Sequence, residues 1–360
     1  MRTLFRASFY ILFVLTLGLT IFAQSGRNKP SETPTPAPPR PRVIYTPVET
    51  NYPKPTPQQT PPPKKVEKVE DGDDDVIRVD SALVPIPVSV VDSTGRAVTN
   101  LKLEDFQMTV DGKPAEINDL FRSETPVRLA LLFDNSSSVN VAREFEKKAA
   151  VKFFKRVIRP DKDLAALYSV STGSRLEQPL TKNVEQLTDA IENFPPPQGA
   201  TALLDAIIKA AEYLKAAEGR RVIVIVSDGD DTISDSSFEE AVRAVQQANC
   251  QVYVVKTTDF ENFKRTGQRG GNANIRQLSA ERRMQELTLQ TGGAVYSPID
   301  EKELDQSFNQ ISAELSQAYI LNYYPEEISK TGEFRLISLK VKGRDDLIVR
   351  TRKGYFVSRK

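Results

Sequence analysis

A chain of 360 residues can bury a sizeable core and hold two domains, and its 49 basic against 48 acidic residues give no indication of nucleic-acid binding. The absence of histidine removes the usual general base and the commonest zinc ligand, which argues against hydrolase chemistry. The single cysteine, Cys250, excludes an intrachain disulfide, so packing must stabilise the fold, with a bound ion as a further source.

Residues 1–24 have the order of a secretory signal peptide. Arg2 and Arg6 precede an apolar run over residues 7–23, followed by polar residues. That run, of about 17 residues, is long for a signal peptide and short for a membrane-spanning helix. We predict export to the periplasm, the cell envelope or the medium, with cleavage after Ala23. Retention of residues 7–23 as a membrane tether is the alternative.

Residues 25–75 are predicted to form a disordered, proline-rich linker. Residues 25–65 contain about half of the 24 prolines, which cannot donate backbone hydrogen bonds. An extended polyproline-type chain rises about 3.1 Å per residue, so this segment could span on the order of 100 Å. The acidic residues 71–75 that follow are interpreted as a solvated hinge.

Two segments, residues 76–124 and 318–360, show the alternating pattern of short β-strands. Asp111-Gly112 is a strong hairpin signal. Each segment is too short to bury a core alone, so we predict one β-sandwich assembled from both. The predicted strands are 86–90, 106–110, 319–323, 334–341 and 347–356.

Between these flanks, residues 125–317 alternate apolar runs with helical patterns. The runs are short and continuous, as is typical of parallel strands buried on both faces. They lie at 129–133, 164–168, 222–226, 252–255 and 294–296. The helical patterns lie around 141–153, 206–214, 241–245, 278–290 and 301–316. We predict an α/β fold with a doubly wound, mostly parallel, Rossmann-like sheet.

Oxygen-bearing side chains follow two of the predicted strands and open one helix. Asp134, Ser136 and Ser138 form D-x-S-x-S after the first strand, Thr201 precedes a helix, and Asp228 lies in S-D-G after the third strand. In such sheets ligands bind at the carboxyl ends of the strands, and hard oxygen donors suit Mg²⁺, with Mn²⁺ or Ca²⁺ also possible. The alternative is that the serines only cap the first helix.

These three motifs, in this order, resemble the metal-ion-dependent adhesion site of von Willebrand factor type A domains, and the resemblance covers about residues 126–317. It implies that Ser136, Ser138 and Thr201 bind the ion through their hydroxyls and that Asp134 and Asp228 act directly or through water. It also implies that an acidic side chain of the partner completes the coordination.

The flanks extend the resemblance to bacterial von Willebrand factor A-related proteins known chiefly from acidobacteria. The similar stretches are 91–98, 103–106, 111–112, 319–325 and 353–355. Ser137 stands where glycine is common and Val139 where methionine is common, so we expect an altered loop.

Other charged residues near the motifs have two interpretations each. Asp205 could support the metal, but interaction with the helix dipole is favoured. Asp230 and Asp231 could bind calcium, but solvated loop charges are favoured. The connection 257–276 is predicted to be a long, basic loop that either favours an acidic partner or has no role.

The function that fits these features is an exported, metal-ion-dependent adhesion or protein-binding module that recognises an acidic group of a protein or surface ligand. We predict no enzymatic activity and no nucleic-acid partner. The alternatives are a magnesium-dependent hydrolase or phosphoryl-transfer enzyme, which would lack a phosphate-binding glycine loop and a histidine base, and an envelope scaffold with a vestigial metal site.

Overall fold

The computed structural model describes residues 83–122, 125–137, 143–268, 274–325 and 331–357. The chain divides into two units, Met1–Asp74 and Asp75–Lys360, and all described residues belong to the second. The predicted signal peptide and linker therefore lie outside the described residues, as does Ser138. Within the described part, no helix has both the length and the apolar character needed to cross a membrane.

The described strands and helices follow one another as three groups: strands, an alternating α/β region, and strands again. The strands are β1 (Val84–Val91), β2 (Phe106–Val110), β3 (Lys113–Ala115), β4 (Asp119–Arg122), β5 (Val127–Asp134), β6 (Leu164–Val170), β7 (Ser174–Thr181), β8 (Arg220–Ser227), β9 (Cys250–Lys256), β10 (Val295–Tyr296), β11 (Tyr319–Tyr323), β12 (Phe334–Val341), β13 (Ile348–Thr351) and β14 (Gly354–Phe356). The α-helices are α1 (Arg143–Val157), α2 (Val184–Glu192), α3 (Leu203–Lys215), α4 (Phe238–Gln247), α5 (Thr258–Thr266), α6 (Ile275–Thr291) and α7 (Glu301–Ser316).

The central sheet has the strand order β10-β9-β8-β5-β6-β7. All neighbours are parallel except β6 and β7, which run antiparallel. The prediction of a mostly parallel α/β sheet is therefore confirmed. Strand β7 is not predicted from the sequence, because its charged residues and Pro179 interrupt any apolar run. Both are tolerated because β7 lies at the edge of the sheet.

Helices cover both faces of this sheet. Helices α1, α2 and α7 pack on one face with Leu129, Leu131 and Phe133, whereas α3, α4 and α6 pack on the other with Ala130 and Leu132. Alternate side chains of β5 thus enter opposite cores, which explains why its sequence is apolar throughout. The same strand carries the first predicted metal ligand at its end.

The flanking strands form two antiparallel sheets, ordered β13-β1-β11-β4 and β14-β12-β2-β3. Side chains from both flanks, such as Val88 and Leu321, share one core, which agrees with the predicted sandwich. Asp111 and Gly112 both have positive φ angles in the turn between β2 and β3, as a two-residue hairpin requires. The single strand predicted over 347–356 is wrong, because β13 and β14 pair in different sheets.

One buried carboxylate joins the sandwich to the α/β region. Glu314 of α7 is 2% exposed and accepts hydrogen bonds from the hydroxyls of Tyr296 (2.6 Å) and Tyr253 (3.3 Å). Arg350 of β13 donates to the same carboxylate. The Glu314 carboxylate therefore links the α/β region to the flanking sheet through a buried ion pair.

Candidate metal centre

Asp134 is the innermost of the predicted ligands. It ends β5, is 1% exposed, and its Oδ1 accepts a hydrogen bond from the backbone N–H of Ser136 at 2.9 Å. Its Oδ2 accepts one from the hydroxyl of Ser227 at 2.6 Å. Because Ser227 ends β8, the next strand in the sheet, this bond fixes the carboxylate between two strand ends.

The loop after Asp134 is bonded to the loop that precedes α3. The backbone N–H of Gln198 donates to the carbonyl of Asn135 at 3.0 Å, and that of Ser137 donates to the carbonyl of Gly199 at 3.2 Å. Gly199 has a φ of +78°, and a Cβ there would lie 2.6 Å from the Thr172 side chain. Only glycine fits this close approach, so the G-A-T sequence has a structural reason.

The loop before α3 is bonded in turn to the loop after β8. Thr201 donates through its N–H to the Thr232 hydroxyl at 2.8 Å, and its carbonyl accepts the N–H of Thr232 at 2.8 Å. Asp231 accepts the N–H groups of Leu203 (2.8 Å) and Leu204 (3.2 Å) and so caps α3. The interpretation of Asp231 as a solvated charge is therefore wrong: it holds the start of the helix that follows Thr201.

Asp228 supplies the second carboxylate of the rim. Its Oδ1 accepts the N–H of Asp230 at 2.9 Å, and its carbonyl oxygen accepts the Thr258 hydroxyl at 3.3 Å. Burial, followed by the negative charge of Asp228, raises the pKa of Asp134 to about 6. The fold therefore holds two mutually repelling carboxylates together, an arrangement that a divalent cation would relieve.

Four of the five predicted ligands lie in these three mutually bonded loops: Asp134, Ser136, Thr201 and Asp228. Ser136 and Thr201 are buried. Within the described residues, no group of three or more acidic or cysteine side chains is placed to hold a metal ion. The four ligand candidates described here offer two carboxylates and two hydroxyls. Such hard oxygen donors fit Mg²⁺, and the charge that Asp134 and Asp228 bring together fits a dication.

Two further acidic residues have structural partners. The Asp205 carboxylate accepts the N–H groups of Asp235 (3.2 Å) and Ser236 (3.1 Å), so it fixes the loop after β8. Asp230 forms an ion pair with Arg276 at 2.6 Å, which contradicts its interpretation as a solvated charge.

The connection after β9 is largely helical, so the loop predicted over 257–276 is wrong for residues 258–266, which form α5. Lys264 pairs with Glu301 and lies 3.9 Å from the centre of the Phe145 ring, and Arg265 donates to Asn262 at 2.7 Å. Arg269 lies outside the described residues. The basic side chains described here therefore have partners within the chain.

Two glutamates beside the site are not among the functional residues predicted from the sequence. Glu146 of α1 is buried, and Glu261 of α5 is half-buried. A signal for Glu146 exists in the sequence, since it occupies the first position of the buried stripe of α1, which continues through Ala149, Ala150 and Phe153. A charged residue at an apolar position deserves a functional explanation.

Comparison with known proteins identifies the fold. The family model of the von Willebrand factor type A domain matches residues 129–310, just over half of the chain. None of the curated proteins matches.

Solved structures give weaker similarities. The PilB minor pilin from Streptococcus sanguinis is 14% identical, with 55% of this chain and 63% of the pilin covered and a TM-score of 0.43. An aerotolerance-related membrane protein from Bacteroides fragilis is 18% identical (52% and 98% covered, TM-score 0.40). A von Willebrand factor type A protein from Catenulispora acidiphila is 10% identical (78% and 75%, TM-score 0.44). The chain spans less than two thirds of the pilin, and similarities this low say nothing about what it binds.

Proposed function

Because the chain belongs to the von Willebrand factor type A domain family, we propose that it is a protein-interaction module that binds an acidic group of its partner through a divalent cation. The cation, Mg²⁺ in the first instance, would be held by Asp134, Ser136, Ser138, Thr201 and Asp228. When bound, it supplies an electrophilic position that attracts a carboxylate.

The observation that supports this proposal best is the pairing of Asp134 with Asp228 in a rim whose three loops are bonded to one another. Holding two like charges together costs stability unless something offsets them. Hydrogen bonds from Ser136 and Ser227 orient the Asp134 carboxylate, which supports a preorganised ligand. Preorganisation of this kind favours affinity, because little side-chain freedom is lost on binding.

The residues around the ligands have positioning roles in this proposal. Ser227 orients the Asp134 carboxylate, Asp231 fixes the helix start after Thr201, and Asp205 holds the loop that carries Asp231. Three of the five proposed ligands are neutral hydroxyls, which donate less electron density to the ion than carboxylates do, and this favours a further carboxylate from outside. The chain itself has no histidine that could act as a general base, and no feature of the described site favours a hydrolase or a phosphoryl-transfer enzyme.

We also propose that the module is exported and works at the cell envelope or outside the cell. The charged and apolar order of residues 1–24 supports a signal peptide, and residues 25–75 have the composition of a spacer. Residues 76–124 and 318–360 would then frame the binding domain at 125–317. Retention of residues 7–23 would tether the module to a membrane.

Titration calorimetry with MgCl₂ on the chelator-treated full chain tests the metal site. We expect one binding event in the wild type and none in Asp134→Ala, while the exposed Asp235→Asn, on the same loop as Asp231, should behave like the wild type. Binding that is unaffected by Asp134→Ala would refute the assignment of the site.

The partner chemistry needs a separate experiment. The immobilised wild type is exposed to envelope proteins in Mg²⁺ or in EDTA, with immobilised Asp134→Ala as the matched control. Retention that depends on both Mg²⁺ and Asp134, and that is lost when carboxylates of the envelope proteins are amidated beforehand, would support the proposal. Retention that survives EDTA and Asp134→Ala would contradict it.

A further inference from the structure

Glu146 and Glu261 form a second acidic pair beside the candidate metal centre. Glu146 belongs to α1 and Glu261 to α5, and the fully buried Thr257 lies between them. The Thr257 hydroxyl donates to Oε1 of Glu261 at 3.0 Å and is also within hydrogen-bonding reach of the Glu146 carboxylate. Thr257 in turn donates its N–H to the carbonyl of Ser227 at 3.0 Å, which places the pair beneath the rim.

The hydrogen bonding of this pair is incomplete. Glu146 is 1% exposed, yet its Oε1 has no hydrogen-bond partner among the described residues. A hydroxyl carries one proton, so Thr257 can serve only one of the two carboxylates at a time. Burying a carboxylate oxygen without a hydrogen-bond partner is unfavourable, so the pair is stabilised by a group that offsets it.

The charge of the pair is also poorly offset. Burial, followed by the charge of Glu261, raises the pKa of Glu146 well above its ordinary value, and the negative charges of Asp134 and Asp228 act in the same direction. The positive charge acting on Glu261 comes from Arg265, whose guanidinium donates to Asn262. Lys264, one residue earlier, is paired with Glu301.

We propose that Glu146, Glu261 and Thr257 bind a second divalent cation, with Ca²⁺ as the ion that fits best. Two carboxylates offer up to four oxygens, and the threonine hydroxyl adds a fifth. Ca²⁺ accepts six to eight oxygens, including bidentate carboxylates and water, in flexible geometry. The cation satisfies the unpartnered oxygen of Glu146 and offsets both charges. With one dication in each site, the four carboxylates of the region are neutralised.

This second site is independent of the ligands assigned to the first one. Neither glutamate belongs to the three loops of the rim, and each lies on a helix packed beside it. An ion held between α1 and α5 would link these two helices directly. It would also fix Thr257 and, through Thr257, the end of β8 that orients Asp134.

Calcium titration of the chelator-treated full chain tests the inference, using calorimetry with CaCl₂ at pH 7.5. We expect the wild type to bind two Ca²⁺ ions per chain. Each of the single variants Glu261→Gln, Glu146→Gln and Asp134→Ala should bind one. The combination Asp134→Ala/Glu261→Gln should bind none. Glu144→Gln is the matched control, since Glu144 lies on the same helix and is 67% exposed, and it should keep both equivalents.

Thermal melting gives a second measurement that does not depend on Glu146→Gln being folded. CaCl₂ should raise the Tm of Asp134→Ala but not that of Asp134→Ala/Glu261→Gln. If Glu261→Gln and Glu146→Gln leave calcium stoichiometry and affinity unchanged, the inference is wrong and the pair shares a proton instead. If the wild type and Asp134→Ala both bind one Ca²⁺, and that Ca²⁺ is lost in Glu261→Gln, the proposed function is refuted and the second site is supported.

Discussion

Replacing Asp134 with asparagine is expected to stabilise the metal-free protein and to abolish its response to Mg²⁺. The folded state holds this carboxylate buried and beside Asp228, which raises its pKa from an ordinary 3.8 to about 6. Since the folded pKa is the higher one, the folded state binds the proton more tightly. The metal-free wild type therefore loses stability as the pH rises from about 4 to about 6, and the loss persists above that range.

The size of the effect follows from the two pKa values. The difference between 3.8 and about 6 corresponds to about 3 kcal/mol at pH 8. Asparagine avoids this cost but cannot accept the Ser227 hydroxyl proton at the same position, which should cost about 1 kcal/mol. The net stabilisation is about 2 kcal/mol, or a rise in Tm of roughly 4–8 °C for a domain of this size.

Urea denaturation in EDTA at pH 8 and at pH 4.5, for the wild type and Asp134→Asn, measures the difference. The advantage of the variant should be largest at pH 8 and should shrink at pH 4.5. With Mg²⁺ at about 100 times its Kd, the wild type alone should gain about 2.7 kcal/mol, which reverses the order of stability. A variant that is less stable than the wild type in EDTA at pH 8, or an advantage that does not depend on pH, would refute the reasoning.

Three other substitutions or treatments probe the surroundings of the site. Arg350→Met leaves the buried Glu314 carboxylate without its cation, so it should lower the free energy of unfolding in urea by about 3–5 kcal/mol. Adding Glu314→Gln should restore most of that stability, and equal losses in the single and double variants would contradict this. Asp231→Ala removes the cap of α3, so it should lower the free energy of unfolding by about 1 kcal/mol and weaken Mg²⁺ binding in calorimetry. An unchanged affinity for Mg²⁺ would show that the cap has no role in the site. The Cys250 thiol is 4% exposed and burial raises its pKa to about 12, so Ellman's reagent should label it at pH 8 only as fast as the protein unfolds, and rapid labelling of the folded protein would disprove its burial.

The rim of the site could be predicted because it follows from strand direction. Parallel strands end at one edge, so apolar runs followed by Asp134 and Asp228 had to bring those carboxylates to the same edge. Thr201 could be placed there because the helix that follows it packs against the same sheet. Each of these inferences uses periodicity and chain direction, which are local properties of the sequence.

The supporting contacts could not be predicted, because they depend on tertiary packing. Asp231 looks like one acid in a polar loop, and only the approach of α3 turns it into a cap. Glu146 is recognisable as a charge within the buried stripe of α1, but its proximity to Thr257 and Glu261 depends on tertiary packing. The sequence predicts a loop over residues 258–266 because their apolar positions are few, although Phe260 packs fully into the core.

The position of β1 in its sheet determines how the folded unit would resist tension. β1 is the first described strand of the unit, and it lies between β11 and β13, antiparallel to both. Tension along the axis of β1 would load both ladders of hydrogen bonds, so the two would have to break at once. Such shear loading distributes force over many bonds, whereas peeling an edge strand would break them one after another. Single-molecule pulling from residue 83 should therefore meet high resistance before β1 detaches.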